Sequence, residues 1–369
     1  MYMMPILRPT VAEVDLKKLA RNMRKVHEQA GEGVRVLTVL KANAYGHGAV
    51  PLGLFLEKNK LSDFFGAASV EEALQLRQAG ISLPILVLGS IYPFEAFEYA
   101  IKNNIAITIA SLDAAKAVCE IAEKIGKKAL CHVKQDTGMG RIGTRRGGVF
   151  NVIEYLDKNP YVILDGLFTH LSSVETDPAY TEEQIGYYRD TLTNVHLKGI
   201  HINYCHVAAS SAITARPDVH YDMVRTGHSA FGLEAGFEPI LSLKTRVVYV
   251  KDVPAGASIS YNRSFIAPAP MKVATLPLGY GDGYLRALSN KAEVLINGKR
   301  CRVLGNITMD MMMVDITNAG SVKVGDEAVA VGRQGNEEIT YAELAEKAGT
   351  IDYELCTLLM MRVPRIYKE

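Results

Sequence analysis

Eight short apolar, β-prone runs alternate with amphipathic helical patterns along the first two thirds of the 369-residue chain. The runs are VRVLTVLKA, FFGAAS, PILVLGS, IAITIAS, ALCHVKQD, VILDGLFTH, HINYCHVA and DMVRTGHSAFG. Between them lie helical segments such as SLDAAKAVCEIAEKIG, in which Ser111 suits the N-cap and Gly126 the end of the helix. Eight strands that alternate with helices favour a (β/α)8 barrel, the TIM barrel, over an open doubly wound sheet.

After about residue 240 the pattern changes to alternating β-like runs, among them LSLKTRVVYVKDV, KVATLPLGYGDG, AEVLINGKRCRVLG and MMMVDI. Asn297-Gly298, between two such runs, predicts a hairpin. We therefore expect an α/β fold in two domains, with the barrel over residues 1–240 and a mostly-β domain over residues 241–369. The segment RPTVAEVDL is also β-like, and we expect the first ~10 residues to pair with the second domain.

The balance of charge argues against two classes of partner. The 41 basic and 40 acidic side chains leave a formal net charge of +1, which favours neither nucleic acid nor an anionic membrane. No apolar run approaches the ~20 residues of a membrane span, and the first residues do not show the pattern of a signal peptide. The five scattered cysteines predict neither a zinc site nor a disulfide framework. We expect a cytoplasmic protein without a metal ion.

Polar residues gather where the predicted barrel strands end. They are Lys41, Lys134, Asp136, Arg141, His170, His206, Ser210 and Arg225. The functional groups of barrels cluster at this end of the strands, so the set predicts an enzyme. Each residue also has a simpler interpretation when it is taken alone. Lys41 could be a solvated lysine, His206 and Cys205 packing residues, and His170 a core histidine bonded to a backbone carbonyl.

Lys41 has a chemical interpretation as well. Burial in an apolar setting disfavours the charged form of a lysine, and a neutral amine can attack an aldehyde to form a Schiff base, the usual anchor of pyridoxal phosphate. The phosphate of that cofactor would need neutral donors, which Tyr45, Ser210, Ser211 and the backbone near Gly227 could supply. The sequence has no G-x-x-x-x-G-K-[ST] motif, so a nucleotide-type phosphate loop is not expected.

Several motifs together resemble one enzyme family. VLKANAYGHG is similar to the cofactor-lysine motif of alanine racemases, the fold-type III pyridoxal phosphate enzymes. VKQDTGMGRIG, FTHLSS, VRTGHSAFG, ISYNRSF, LPLGYGDGY, NITMDMMMVD and IDYELC resemble other motifs of that family, in the same order. The resemblance extends from about Pro9 to RVPRIY near the end, and the family fold, a barrel followed by a β domain, agrees with the division above.

The resemblance implies a role for each residue of a cofactor site that binds pyridoxal 5'-phosphate. Lys41 would carry the Schiff base. The phosphate would be bound by Tyr45, Ser210, the backbone around Gly227 and Tyr353. Arg225 would face the pyridine nitrogen with His170 behind it, and an arginine there favours racemisation over transamination because it does not give up its proton. Lys134 matches a position that is carbamylated in many members, where the added charge would steady Arg141.

The resemblance also implies a two-base reaction in a homodimer with shared active sites. Lys41 and Tyr261 would act on opposite faces of the α-carbon of a small amino acid, alanine, whose D-form supplies peptidoglycan synthesis. Arg141 would hold the substrate carboxylate and lower the pKa of the catalytic tyrosine. The residues that would reach the site from the partner subunit are Tyr261, Tyr280, Met309 and Asp310.

Three departures from the family pattern leave questions open. Ala209 stands where an asparagine is usual, so either Ser210 or Ser211 could contact the phosphate. His228 could add a proton-dependent phosphate contact or could point into packing. The DYELCT segment is one residue shorter than the common form.

Three other functions compete with alanine racemisation. A serine or broad-specificity racemase would keep the same machinery, whereas a basic amino acid decarboxylase of similar architecture is disfavoured by Arg225 and DTGMGRIG. A cofactor-binding homeostasis protein would need neither Tyr261 nor a second domain.

Overall fold

The computed structural model describes residues 7–145 and 147–369. Its strands are β1 (Val11–Asp15), β2 (Arg35–Val39), β3 (Phe64–Ala67), β4 (Ile85–Val87), β5 (Ile105–Ile109), β6 (Ala129–Lys134), β7 (Val162–Phe168), β8 (Tyr204–His206), β9 (Met223–Thr226), β10 (Leu241–Arg246), β11 (Tyr249–Val253), β12 (Ser258–Ile259), β13 (Phe265–Ile266), β14 (Met271–Leu276), β15 (Glu293–Ile296), β16 (Lys299–Leu304), β17 (Met312–Asp315), β18 (Glu327–Gln334), β19 (Glu337–Ile339) and β20 (Arg365–Lys368). Its helices are α1 (Leu16–Ala30), α2 (Lys41–Tyr45), α3 (Ala49–Lys58), α4 (Val70–Gln78), α5 (Ala96–Lys102), α6 (Leu112–Ile125), α7 (Gly147–Asp157), α8 (Pro178–Leu197), α9 (Ser210–Ala215), α10 (His228–Phe231), α11 (Tyr341–Ala348) and α12 (Asp352–Thr357).

The eight strands β2 to β9 form a nearly closed parallel barrel. Each strand from β2 to β7 pairs with the next, and β9 returns to pair with β2. Between β8 and β9 the ring is closed by individual backbone bonds, from Asp222 N to Cys205 O (3.1 Å) and from Arg225 N to Ala208 O (3.0 Å). Each of the eight predicted runs contains one of these strands. The predicted TIM barrel is therefore confirmed.

The helices outside the barrel begin and end where local chemistry favours it. At the start of α6, the Ser111 hydroxyl accepts a hydrogen bond from Ala114 N at 3.1 Å, which satisfies one of the unpaired N–H groups of the first turn. The helix ends at Gly126, which has the left-handed conformation with φ of 71°. Glycine adopts this conformation without strain because it has no Cβ. Both features agree with the prediction from sequence.

The second sheet has ten strands and includes one from the N-terminus. Its order is β11-β14-β17-β16-β15-β18-β10-β1-β20, with β19 attached to β18. β1 pairs antiparallel with β10 and parallel with β20. The predicted hairpin joins β15 to β16, where Asn297 and Gly298 both have positive φ. The mostly-β C-terminal domain is thus confirmed as part of the fold class.

The residues before β1 also contact the second domain. Arg8 donates to Asp282 and to the carbonyl oxygen of Pro277, and Thr10 bonds to Thr245. Residues 1–6, which were expected to pair there, lie outside the described residues. Within the described ranges, the helices are all too short or too polar to cross a lipid bilayer.

Candidate active site

The segment that follows β2 is a left-handed turn, which we call the lysine turn (Lys41–Tyr45, α2). Four successive non-glycine residues, Ala42 to Tyr45, have φ between 50° and 54°. Left-handed helical backbone costs an L-residue roughly 1–2 kcal/mol, so the surroundings must hold the turn in place. The predicted run VRVLTVLKA was too long here, because the strand ends at Val39 and Lys41 begins the turn.

Hydrogen bonds from several elements hold the lysine turn. The Glu72 carboxylate accepts from Ala42 N (2.8 Å) and from Ala68 N (2.7 Å). His47 contacts the carbonyl oxygens of Ala44 (2.9 Å) and Tyr45 (2.8 Å) through Nδ1, which must therefore carry the proton. Burial lowers the pKa of His47 to about 4, so the ring is a neutral donor at physiological pH.

A cavity of about 1170 Å³ opens at the carboxyl ends of the barrel strands, where active sites of barrels lie. Most of the residues predicted from sequence line it: Lys41, Tyr45, Lys134, Arg141, His170, Ser210, Ser211, Arg225, Gly227, His228 and Tyr353. The structure therefore brings together residues from five barrel strands or the loops after them and from α12 of the second domain.

One side of the cavity presents hydroxyl groups. Ser210 Oγ accepts from Gly227 N at 3.2 Å and keeps its own O–H free to donate. The Tyr45 and Tyr353 hydroxyls also line the cavity, and neither bonds to another described residue. A Cβ at Gly227 would come within 3.0 Å of the Tyr45 hydroxyl, so the glycine allows this close approach. Burial, and then the nearby Tyr353, raise the pKa of Tyr45 to about 12, which keeps it a neutral donor.

The His228 ring packs between the two phenols. Its centroid lies 4.3 Å from that of Tyr353 and 5.9 Å from that of Tyr45, and its side chain also lines the cavity. Burial lowers its pKa below the ordinary value for histidine. His228 therefore has both the packing contacts and the access to the cavity that the sequence left as alternatives.

Arg225 also lines the cavity, and both of its Nη atoms donate to neutral acceptors. Its Nη1 donates to His206 Nδ1 (2.8 Å), and its Nη2 to the carbonyl oxygens of Thr169 and Val207 (both 2.8 Å). His170 Nδ1 lies 3.5 Å from Nη2. Among the described residues no carboxylate pairs with Arg225, and its Nε has no partner. Burial lowers its pKa to about 10, so the guanidinium is still charged at neutral pH.

Behind Arg225 a chain of hydrogen bonds crosses the barrel interior. His206 Nε2 lies 3.0 Å from His132 Nδ1, and His132 Nε2 lies 3.2 Å from Asp165. Asn203 donates to the second oxygen of that carboxylate at 2.8 Å. Burial would raise the pKa of Asp165, but the hydrogen bonds from His132 and Asn203 hold it below its ordinary value. His206 is thus a network residue, and sequence reasoning had not selected His132 or Asp165.

Lys134 and Arg141 also line the cavity, and neither pairs with a carboxylate among the described residues. Lys134 Nζ lies 4.5 Å from the centroid of the Phe168 ring, and burial, reinforced by Arg225 and Arg141, lowers its pKa well below the ordinary value. Arg141 makes no hydrogen bond or ion pair within the described part of the chain. Burial and the same cations lower the pKa of His170 to about 2, so its ring is neutral.

Lys41 is partly buried where the lysine turn meets the cavity. Its Nζ lies 5.7 Å from the centroid of the Tyr45 ring. Burial, and then the charge of Arg141, lower the pKa of Lys41, while Glu72 partly opposes the shift. A larger fraction of this amine is therefore neutral and nucleophilic than in a solvated lysine, which favours the chemical interpretation over the simpler one.

The four residues that were predicted to come from the partner subunit do not line this cavity. Tyr261, Met309 and Tyr280 are 70%, 53% and 41% exposed on the second domain, and Asp310 pairs with Arg362 at 2.9 Å. Backbone bonds join the Tyr280 loop to the loop of Met309, and Asn306 joins that loop to the Tyr261 carbonyl. The four residues thus form one exposed group, which we call the Tyr261 surface.

Two family models match the chain, the alanine racemase N-terminal domain over residues 14–235 and the alanine racemase C-terminal domain over residues 240–367. The chain belongs to the alanine racemase family. The resemblance read from the motifs is confirmed, and with it the class of enzyme, an amino acid racemase. Alanine racemase activity follows from membership at the identities given below.

Relatives in the alanine racemase family match over nearly the whole chain. Alanine racemase 2 of Caldanaerobacter subterraneus subsp. tengcongensis is 41% identical, with 98% of this chain and 95% of the relative covered. The alanine racemase of Symbiobacterium thermophilum is also 41% identical, over 98% and 97% of the two chains.

Solved alanine racemase structures share the fold. That of Clostridium difficile 630 has a TM-score of 0.93 at 38% identity, covering 99% of this chain and 97% of its own. That of Bacillus anthracis, solved with bound L-Ala-P, has a TM-score of 0.92 at 33% identity, covering 99% and 96%.

Proposed function

We propose that the protein interconverts L- and D-alanine with pyridoxal 5'-phosphate, by a two-base mechanism, in a homodimer with shared active sites. The observation that carries the proposal is the placement of Lys41, Arg225 and a group of neutral hydroxyls around one cavity. In the cytoplasm, where we expect the protein, the product D-alanine would supply peptidoglycan synthesis.

The donor set of the cavity fits the cofactor. The hydroxyls of Tyr45, Tyr353 and Ser210 can donate to a phosphate, and hydrogen bonds to a charged acceptor are the stronger kind. Lys41 would hold the aldehyde carbon, and the unpartnered Nε of Arg225 would face the pyridine nitrogen. The bound cofactor would supply an electron-withdrawing ring that makes the α-proton of the substrate acidic. An arginine retains its proton, so the nitrogen would stay unprotonated.

Lys41 and Tyr261 would hold and return the proton at the α-carbon from opposite faces. Lys41 suits a base because burial lowers its pKa. A tyrosine begins near pKa ~10 and needs a cation to act as a base at neutral pH, a role for Arg141. General acid–base catalysis of this kind is worth about 10²–10⁴-fold.

The need for a second subunit is supported by the Tyr261 surface. Tyr261 is 70% exposed and does not line the cavity that contains Lys41 of the same chain. A second copy that presents its own Tyr261 surface to the cavity would place both bases, Lys41 and Tyr261, in one site. Met309, Tyr280 and Asp310 would come with it and bound the space for the substrate side chain.

The test is incubation of the holoenzyme with L-alanine in deuterium oxide, followed by chiral chromatography and proton NMR. We expect D-alanine that carries deuterium at the α-carbon. Exchange with serine or lysine but not with alanine would change the assigned substrate and keep the proposed catalytic residues. No exchange with any amino acid would contradict the proposal, as would full activity of Lys41→Ala.

A further inference from the structure

The last strand of the chain reaches back to the loop that carries Lys41. In β20, Arg365 Nε donates to the carbonyl oxygen of Gly46 at 3.0 Å, and the Tyr367 hydroxyl donates to the carbonyl oxygen of His47 at 3.1 Å. Gly46 and His47 directly follow the lysine turn. The second domain therefore binds the backbone that immediately follows this turn, within a single subunit.

The other nitrogens of Arg365 bind the chain that follows α12. Nη1 donates to the carbonyl oxygens of Met360 and Val363 (both 2.8 Å), and Nη2 donates to that of Leu359 at 2.7 Å. No carboxylate pairs with Arg365 among residues 7–145 and 147–369. A planar guanidinium fixes its acceptors in direction as well as distance, so Arg365 ties two segments of backbone at a set spacing.

The two tied segments directly follow the elements that carry the two phenols of the cavity. Tyr45 ends the lysine turn, immediately before Gly46, and Tyr353 belongs to α12. The segments also pack directly, since a Cβ at Gly46 would overlap the carbonyl oxygen of Cys356 in α12. Close packing and the bonds of Arg365 thus connect the backbone near Tyr45 to the backbone near Tyr353.

We propose that Arg365 is a positioning residue for phosphate binding, which sets the spacing of Tyr45 and Tyr353 by joining the backbone that follows the lysine turn to the backbone that follows α12. The inference rests on the proposed function, because it takes the cofactor phosphate as the ligand of these hydroxyls. Arg365 itself does not line the cavity, so its effect is transmitted through the backbone of both segments.

The test compares pyridoxal phosphate with pyridoxal, which lacks the phosphate, in spectroscopic titrations of the apoprotein. In Arg365→Lys the fork geometry is lost, and we expect the Kd for pyridoxal phosphate to rise by about tenfold, the equivalent of one net hydrogen bond. The Kd for pyridoxal should not change. Arg246→Lys is the matched control, since Arg246 also donates to a backbone carbonyl, that of Gly325 at 2.8 Å, and does not contact either segment.

Each outcome has one meaning. A tenfold fall in the ratio of the Kd for pyridoxal to the Kd for pyridoxal phosphate, in Arg365→Lys and not in Arg246→Lys, supports the positioning role. An unchanged ratio overturns it, whether neither Kd changes or both rise equally, because a general loss of structure would weaken the binding of both ligands. If the lysine variant does not fold, Tyr367→Phe tests the same attachment and should lower the ratio by a few-fold. Failure of the unaltered protein to bind pyridoxal phosphate would overturn the proposed function instead.

Discussion

Arg225 donates from Nη1 to Nδ1 of His206 across 2.8 Å. An arginine can only donate, so this nitrogen of His206 carries no proton and its Nε2 carries one. Nε2 must then donate to His132 Nδ1, and His132 Nε2 to Asp165. The guanidinium at one end and the carboxylate at the other thus fix the tautomers of both histidines.

We predict that nitrogen NMR of histidine-labelled protein finds both rings neutral with the proton on Nε2 at neutral pH. Asp165→Leu leaves the buried His132 N–H without an acceptor and should lower the free energy of unfolding by about 1–3 kcal/mol. Asp165→Asn keeps an oxygen acceptor, so urea denaturation should show a smaller loss. A proton on Nδ1 of His206 would contradict the assignment.

Buried neutral histidines should make the protein sensitive to acid. The pKa values of His47 and His170 lie at about 4 and about 2, and that of His206 is also lowered, mainly by burial. The unfolded chain protonates these residues near pH ~6.5 and so binds more protons than the folded protein below that pH. Stability must therefore fall as pH falls, by up to about 4 kcal/mol per unit for three histidines between about pH 6 and 5.

Urea denaturation at several pH values measures that slope. In His47→Asn the amide can still donate to the carbonyls of the lysine turn, and the slope should decrease by about one third. His196→Asn, the same change at an exposed residue, should leave the slope unaltered. An equal slope in all three proteins would refute the assignment to His47.

Alanine substitutions at Gly46 and Gly126 separate the cost in stability of backbone strain from that of overlap with the second domain. Gly46 and Gly126 have φ of 81° and 71°, but only at Gly46 would a Cβ meet another backbone atom, the Cys356 oxygen. Gly126→Ala should cost about 1–2 kcal/mol for the left-handed backbone alone. Gly46→Ala should cost more and weaken the binding of pyridoxal phosphate. Equal costs in thermal unfolding would show that the two segments separate easily.

Lys134 should react with carbon dioxide. Its lowered pKa leaves more of the amine neutral than in a solvated lysine, and the product carbamate would place a negative charge beside Arg141 and Arg225. With ¹³C-bicarbonate we expect one carbamate carbon signal, absent in Lys134→Gln. A signal that persists in the variant would assign the modification to another lysine.

Shared sites can be tested with hybrid dimers. Lys41→Ala and Tyr261→Phe should each abolish racemisation, because each removes one of the two bases. When the two inactive proteins are dissociated and mixed, half of the dimers are hybrids and each hybrid has one intact site, so about a quarter of the full activity should return. If both bases came from the same chain, every site in the mixture would lack one base and no activity would return.

The barrel was predictable because its signal is local and repeated. Each strand is a short apolar run between helical patterns, and all eight were found. The strand β18 was missed, although it lies between β15 and β10. Its sequence EAVAVGRQ contains two alanines and a glycine, residues that are rare in strands, so its place depends on the neighbouring strands.

The lysine turn was not predictable from local sequence. Ala42, Asn43 and Ala44 give no sign of positive φ. The bonds that hold the turn and the residue after it come from distant residues, from Glu72 to Ala42 and from Arg365 to Gly46. The buried hydrogen-bond network behind Arg225, by contrast, was predictable from the sequence. His132 and Asp165 are polar residues inside apolar strands, where a polar side chain needs a partner.

The attachment of β20 to the lysine turn bears on when the enzyme can become active during its synthesis. Arg365 and Tyr367 follow Lys41 by 324 and 326 residues in the sequence. The barrel strands and Lys41 are translated long before them. A nascent chain can therefore complete the barrel before these two residues are translated, and the loop that holds Lys41 gains their hydrogen bonds only later.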